Sequence, residues 1–250
     1  MSGEALLRDA PLQVLGRLPE SSNNALLCSI SHDGGEQRVV YKPVSGEQPL
    51  WDFPAGTLCR REKAAAVLDD VLGWGLVPAT AWRDDGPAGP GIAQQWIEGT
   101  IDIGVFPPAE VPDGWVAIVD ARTSDGPVVV AHRTDEGTMR MILFDTVANN
   151  ADRKGGHLLR AGATLSGIDH GVTFHTQPKL RTVLWGLAGA AIPDALLADL
   201  HEALPGLDGL GQWLTAAEVR WTRRRVQTLL DSGTFPEPGE QWPALPWPLI

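Results

Sequence analysis

Two short segments concentrate the residues able to do chemistry. The stretch "NNADRKGGH", Asn149 to His157, crowds an aspartate, an arginine, a lysine, a histidine and two glycines behind an apolar run. The stretch "SGIDHG" delivers Asp169 after an apolar step and just ahead of a glycine. Asp152 and His157 flank Gly155 and Gly156, whose backbones adopt shapes other residues resist. A carboxylate offered in this way suits a hard divalent cation. Upstream, Lys42 closes the strand-like "VVYK", so a sheet would fix its stem and leave its ammonium to project. Glu62 falls at the edge of an inward stripe of Leu58, Ala65 and Leu72, with Asp69 a heptad further on as a rival partner for the lysine. Phosphoryl transfer from a nucleoside triphosphate asks for such a set: a cation on the phosphates, an anion holding that cation, a carboxylate beside the attacking hydroxyl, and metal ligands. Each segment alone also fits a surface turn or a solvated helix face; their order along the chain is what favours the chemistry.

These residues need elements to position them. Between Leu12 and Val44, short apolar runs ("LQVLGRL", "LLCSI", "RVVYKPV") alternate with turn residues, which predicts an antiparallel meander. The Ala- and Leu-rich segment that follows, ended by Gly73, predicts a helix. "LVPATAWR" and "IAQQWIEG" predict two further strands of the same sheet. A loop-rich stretch around "VFPPAEVPDG" then leads to segments with helical periodicity: "MRMILFDTVANN", "KLRTVLWGLAGA", "PDALLADLHEAL" and "TAAEVRWTRRRVQTLLDSG". The expected organisation is α+β: a β-rich lobe over residues 1–100, a helical lobe over 101–235, and a Pro- and Trp-rich tail over 236–250 lying extended on the body. Asn149 and Asn150 are expected to cap the helix before the loop or to brace the loop, and Arg153 to pair with a nearby carboxylate.

Composition narrows the function classes. A chain of 250 residues with 43% hydrophobic content can bury a real core. The formal charge of −11 argues against non-specific nucleic-acid binding and against docking on an anionic bilayer by charge alone. The one basic cluster, Arg220 to Arg225, reads as a solvated helix face. Cys28 and Cys59 are too far apart for a metal motif and are expected to be reduced. Without a signal-peptide pattern or an apolar run long enough to span a bilayer, a cytoplasmic location is expected.

Taken in order, Lys42, Glu62, the "NADRKGGHLL" loop and "IDHG" resemble the atypical kinase superfamily that holds the phosphatidylinositol 3/4-kinases and the toxin-type bacterial Ser/Thr kinases. The likeness is greater to an actinobacterial group of small phosphatidylinositol-kinase-like proteins. It implies a bilobal, protein-kinase-like fold. It also implies that Lys42 contacts phosphate and pairs with Glu62, that Asp152 orients or deprotonates the acceptor hydroxyl, and that Asp169 and His157 hold Mg²⁺ or Mn²⁺. Gln95, Trp96 and Ile97 would form the hinge against the base of ATP, or of GTP. The acceptor would be a protein or a small molecule of inositol type. The chain departs from the family pattern in two places. The loop "PESSNNA" has no glycine, leaving Ser21, Ser22 and Asn23 as donors to phosphate oxygens; His157 stands where an asparagine is usual, and an imidazole suits Mn²⁺ better than Mg²⁺. His170 replaces an aromatic residue and reads as packing. A nucleotide-binding pseudokinase or an AMP transferase on the same fold are the alternatives.

Overall fold

Side chains alternate across a strand, and in the first third of the chain this alternation separates a core from a cleft. The computed structural model describes residues 3–19, 23–32, 35–239 and 243–250. A short helix α1 (Gly3–Asp9) precedes β1 (Gln13–Arg17), β2 (Leu26–His32) and β3 (Gly35–Pro43). Helix α2 (Leu58–Leu72) then leads to β4 (Thr80–Gly86) and β5 (Gly89–Gln95). The five strands form one antiparallel sheet in the order β1-β2-β3-β5-β4. Ile30, Val39, Tyr41, Ala81 and Ala93 pack with Leu6 and Leu7 of α1 on one face. Val40, Lys42, Ile92 and Gln94 are one position out of step with that set, so they belong to the other face.

Helix α2 ends as its sequence predicts, at Gly73 in the left-handed region (φ 68), with the glycine N–H bonded to the Asp69 carbonyl. Helix α1 was not foreseen. It is tied to α2 by Lys63, whose Nζ donates to Glu4 Oε1 at 2.6 Å and to the Thr80 carbonyl at 2.8 Å.

The stretch after Gln95 is richer in strands than its sequence suggested. It contains β6 (Thr100–Ile101), β7 (Ile103–Phe106), β8 (Trp115–Thr123) and β9 (Gly126–Arg133), with β7-β9-β8 making a second antiparallel sheet. Helix α3 (Glu136–Ala148) follows, opened by Asp135, whose carboxylate accepts the Thr138 N–H at 2.9 Å. After the "NNADRKGGH" loop, β10 (Leu158–Ala161) and β11 (Thr164–Gly167) pair with β6 in a third small sheet. Helices α4 (Asp194–Ala203) and α5 (Ala216–Ser232) complete the chain, α5 opened by the reciprocal Thr215–Glu218 box. A single core joins Ala64, Ala65 and Leu68 of α2 to Met141 and Phe144 of α3, Leu196 and Leu200 of α4, and Val226 of α5.

Two expectations are corrected. "KLRTVLWGLAGA" is not a helix, because its amides are claimed by other segments: Arg181 N–H by the Asn150 carbonyl (2.9 Å), Thr182 N–H by Ala244 (3.0 Å) and Val183 N–H by Arg153 (3.1 Å). The arginine cluster of α5 is only partly a solvated face. Arg220 and Arg224 are exposed, whereas Arg225 turns inward to the carbonyls of Val147 and His175. In the described part of the tail, the Leu249 carbonyl accepts the Gly155 N–H at 2.7 Å, and Ala244 also accepts from Trp185 Nε1 at 2.9 Å. No helix among the described residues is long and apolar enough to cross a membrane.

Candidate functional site

A cleft of about 390 Å³ opens on the non-α1 face of the first sheet. Leu18, Ala25 and Val40 line it from the sheet, Leu159 and Ile168 from the β10–β11 side, and Gln94 to Ile97 where β5 ends. Lys42, His157 and Asp169 are its titratable residues.

Alternation on β3 sends Lys42 into this cleft while its backbone stays in the sheet. Its Nζ bonds Glu62 Oε1 and lies 3.3 Å from Asp169 Oδ1. Glu62 is buried, because α2 is held by core packing along much of its length. Burial alone would lower the Lys42 pKa, but the Glu62 and Asp169 carboxylates outweigh it and raise it above the ordinary lysine value. Burial likewise pushes the Glu62 carboxyl upward against the pull of Lys42. Asp69 does not reach the lysine; its carboxylate accepts the Val77 N–H at 2.8 Å. Asp169 has left-handed backbone (φ 60), a conformation an aspartate tolerates better than most residues, and its side chain is 50% exposed. Lys42, acting against burial, holds the Asp169 carboxyl far below its usual range, so it is an anion throughout the neutral range.

His157 Nε2 lies 3.4 Å from Asp169 Oδ2, and burial lowers the imidazole pKa, which keeps the ring neutral near pH 7. A neutral imidazole beside an ionised, half-open carboxylate is a donor pair that fits a divalent cation whose remaining ligands are phosphate oxygens and water. His170 is fully buried and stacks edge-on against Phe144 at 5.4 Å between centroids, in keeping with a packing role.

The loop of Asp152 is built around a buried arginine. Arg153 Nε and Nη2 bond the two Asp145 oxygens at 2.8 and 2.9 Å, and Nη1 reaches the Ile168 carbonyl at 2.7 Å, so one side chain ties α3 to the residue before Asp169. Asn150 donates to Asp145 at 2.9 Å and accepts the Asp152 N–H at 3.0 Å. Asn149 ends α3 in the left-handed region (φ 52) and holds the segment after Asp169, donating to the carbonyls of His175 and Gln177 and accepting the Lys179 N–H. The Asp152 carboxylate lies between Arg181 Nη2 (2.8 Å) and Lys154 Nζ (3.2 Å) and is not part of the cleft lining.

Of the other sequence-derived positions, Asn23, Gln95, Trp96 and Ile97 line the cleft. Asn23 Oδ1 accepts the Gln48 N–H at 3.1 Å, and its backbone packs so closely on Gly46 that an added Cβ there would lie 2.4 Å from the Asn23 carbonyl oxygen. Ser21 and Ser22 lie outside the described residues. Sequence reasoning missed Arg181 and Gln94. Arg181 belongs to no local motif, and Gln94 gave one signal only, its place just before the expected hinge.

Protein Rv2133c of Mycobacterium tuberculosis is 43% identical over 263 residues, spanning 98% of this chain and 94% of that protein. The chain belongs to the Rv2133c family. No family model matches it. Among solved structures, that of the Golgi casein kinase is similar with a TM-score of 0.55 and 11% identity, over 92% of this chain and 72% of the kinase. A Golgi casein kinase structure with Mn and ADP bound gives 0.52 and 12%, over 92% and 74%. At these identities the likeness is one of fold: the chain has a kinase-like α+β fold, sheet-rich first and helical later.

Proposed function

We propose that the chain is an atypical kinase, an ATP- and divalent-metal-dependent phosphotransferase acting on a hydroxyl group. The observation that carries this reading is the cluster of Lys42, Glu62, Asp169 and His157 in a cleft with apolar walls on a kinase-like fold. Residues 1–100 would hold the nucleotide, 101–235 would supply the catalytic loop, and 236–250 would form the tail. Val40 and Ala25 on one side and Leu159 and Ile168 on the other would hold the purine, next to the Gln95–Ile97 hinge. Lys42, anchored by Glu62, neutralises phosphate charge, and Asn23, with Ser21 and Ser22 before it in sequence, would donate to phosphate oxygens. Asp169 and His157 would hold the divalent ion, which when bound offsets charge on the phosphate oxygens. Asp152, held by Arg181 and Lys154, hydrogen-bonds the acceptor hydroxyl. As the hydroxyl oxygen bonds the γ-phosphorus and the bond to the leaving ADP oxygen breaks, the hydroxyl proton passes to Asp152. The similar Golgi casein kinase structure with Mn and ADP bound supports this cofactor pair, Mn²⁺ suiting His157. A protein or an inositol-type small molecule is the acceptor class, the latter resting on the motif likeness to phosphatidylinositol kinases alone.

Asp152→Asn and Asp169→Asn separate the roles. Both variants are expected to lose at least about a hundredfold in phosphate transfer or ATP turnover. Only Asp169→Asn should also lose metal-dependent ADP binding by calorimetry. Full turnover in both folded variants would sink the assignment. Binding without turnover in the wild type would favour the pseudokinase, and an adduct heavier by a nucleoside monophosphate would indicate AMP transfer.

A further inference from the structure

Cross-strand register sets Val40, Gln94 and Thr80 in one row across β3, β5 and β4, and Val40 and Gln94 line the cleft. Thr80 Oγ1 donates to the Pro78 carbonyl at 2.7 Å. Its single proton is therefore engaged, and only its lone pairs remain to meet Gln94, whose Nε2 donates to Thr80 Oγ1 at 2.9 Å. This one-way relay fixes the amide. One N–H of its NH₂ group is committed to Thr80, which fixes which way the amide faces, and its Oε1, on a residue that lines the cleft, is left as an acceptor with no hydrogen bond from the described residues. The residue is 3% exposed, so the acceptor is not freely solvated. The two amides that follow are already used: Gln95 N–H bonds the Ala79 carbonyl at 2.9 Å and Trp96 N–H the Arg38 carbonyl at 3.1 Å.

We propose that Gln94 selects the base, its Oε1 accepting a hydrogen bond from the exocyclic amine of a 6-aminopurine. The cleft then takes adenine nucleotides and discriminates against 6-oxopurines. The inference rests on the nucleotide-binding reading above and deepens it. A 6-oxo group would set two acceptors face to face with no hydrogen between them. Turning the amide over would cure that clash but would place Oε1 against Thr80 Oγ1, whose proton is held by Pro78. A buried mismatched polar pair is costly either way.

The test is calorimetry on the full chain with ADP, IDP and GDP in Mg²⁺. The wild type is expected to bind ADP at least about tenfold more tightly than IDP, the worth of one well-made hydrogen bond set against an unsatisfied one. Gln94→Met keeps the volume but removes the acceptor, and should shrink the ADP-to-IDP ratio about five- to tenfold, chiefly by weakening ADP. Thr80→Val leaves Gln94 in place and frees its amide to turn, so the ratio should shrink because IDP gains affinity, an effect that a merely structural role for Thr80 would not give. A wild type that binds IDP as tightly as ADP, or a folded Thr80→Val protein with the wild-type ratio, overturns the proposal even if Gln94→Met fails to fold. A wild type that binds none of the three overturns the nucleotide reading as well, which distinguishes the two failures.

Discussion

Asp69 shows how much one carboxylate can weigh in a packed helix. It is 4% exposed, it has no cation within ion-pair distance among the described residues, and burial raises its pKa from 3.8 to about 6 against the backbone N–H bonds of Val77 and its neighbours. Because the folded value lies above the unfolded one, folding favours the protonated form. That contribution is fully present below about pH 4 and is lost as pH rises through about 6; it amounts to about 3 kcal/mol, one pKa unit being worth about 1.4. Asp69→Asn should therefore gain stability relative to wild type between pH 4.5 and pH 7, measured as the difference in urea unfolding free energy. A gap that stays constant across that range would mean that Asp69 does not titrate there. At this scale the sequence was informative where chemistry is local: Lys42, Glu62, His157 and Asp169 stand out by type, order and spacing. Gln94 and Arg181 did not, because what matters about them is the cross-strand or cross-segment partner, and no window of neighbouring residues contains it.

Among the elements, α2 is the one on which the site turns. Arg61, next to Glu62, is 3% exposed and sends Nη1 to the Thr173 carbonyl at 2.6 Å and Nη2 to Glu218 at the start of α5, with Phe53 stacked on its guanidinium at 5.0 Å. One side chain thus links the helix carrying Glu62, the segment after Asp169 and the C-terminal helix. Arg61→Ala leaves Glu218 buried with its charge unanswered and should cost about 3–5 kcal/mol in urea unfolding. The double change Arg61→Met with Glu218→Leu should recover part of that loss; no recovery would mean that the pair acts through geometry beyond its charges. The strong helices α2, α3, α4 and α5 were legible from their apolar spacing, helped in α2 and α5 by a glycine that ends each in the left-handed region. The β8–β9 hairpin was not read, although "GPVVVAHR" is a β-branched run behind the turn "SDG". The false helix over "KLRTVLWGLAGA" has the apolar spacing of one, but Asn150, Arg153 and Ala244 compete for its amides, and long-range pairing overrides local periodicity.

On the scale of the whole molecule, the described tail is joined to the middle of the chain at the segments that bear on the site. It accepts bonds from Gly155, Thr182 and Trp185, and a Cβ on Gly155 would lie 3.2 Å from Ile250 Cγ1 and 3.0 Å from Ile103 Cγ1. Removing residues 244–250 should raise hydrogen exchange at Gly155 and Thr182 while leaving α5 protected, read by peptide mass spectrometry. Unchanged exchange at Gly155 would show that the tail is not what holds the loop.

The same contact orders events in time. The five-stranded sheet and α1 can pair as soon as the first hundred or so residues emerge during synthesis, since their partners are near in sequence. Gly155 waits for Leu249. A nascent chain halted before residue 244 would therefore carry a paired first sheet while the loop at Gly155 still lacked its Leu249 partner.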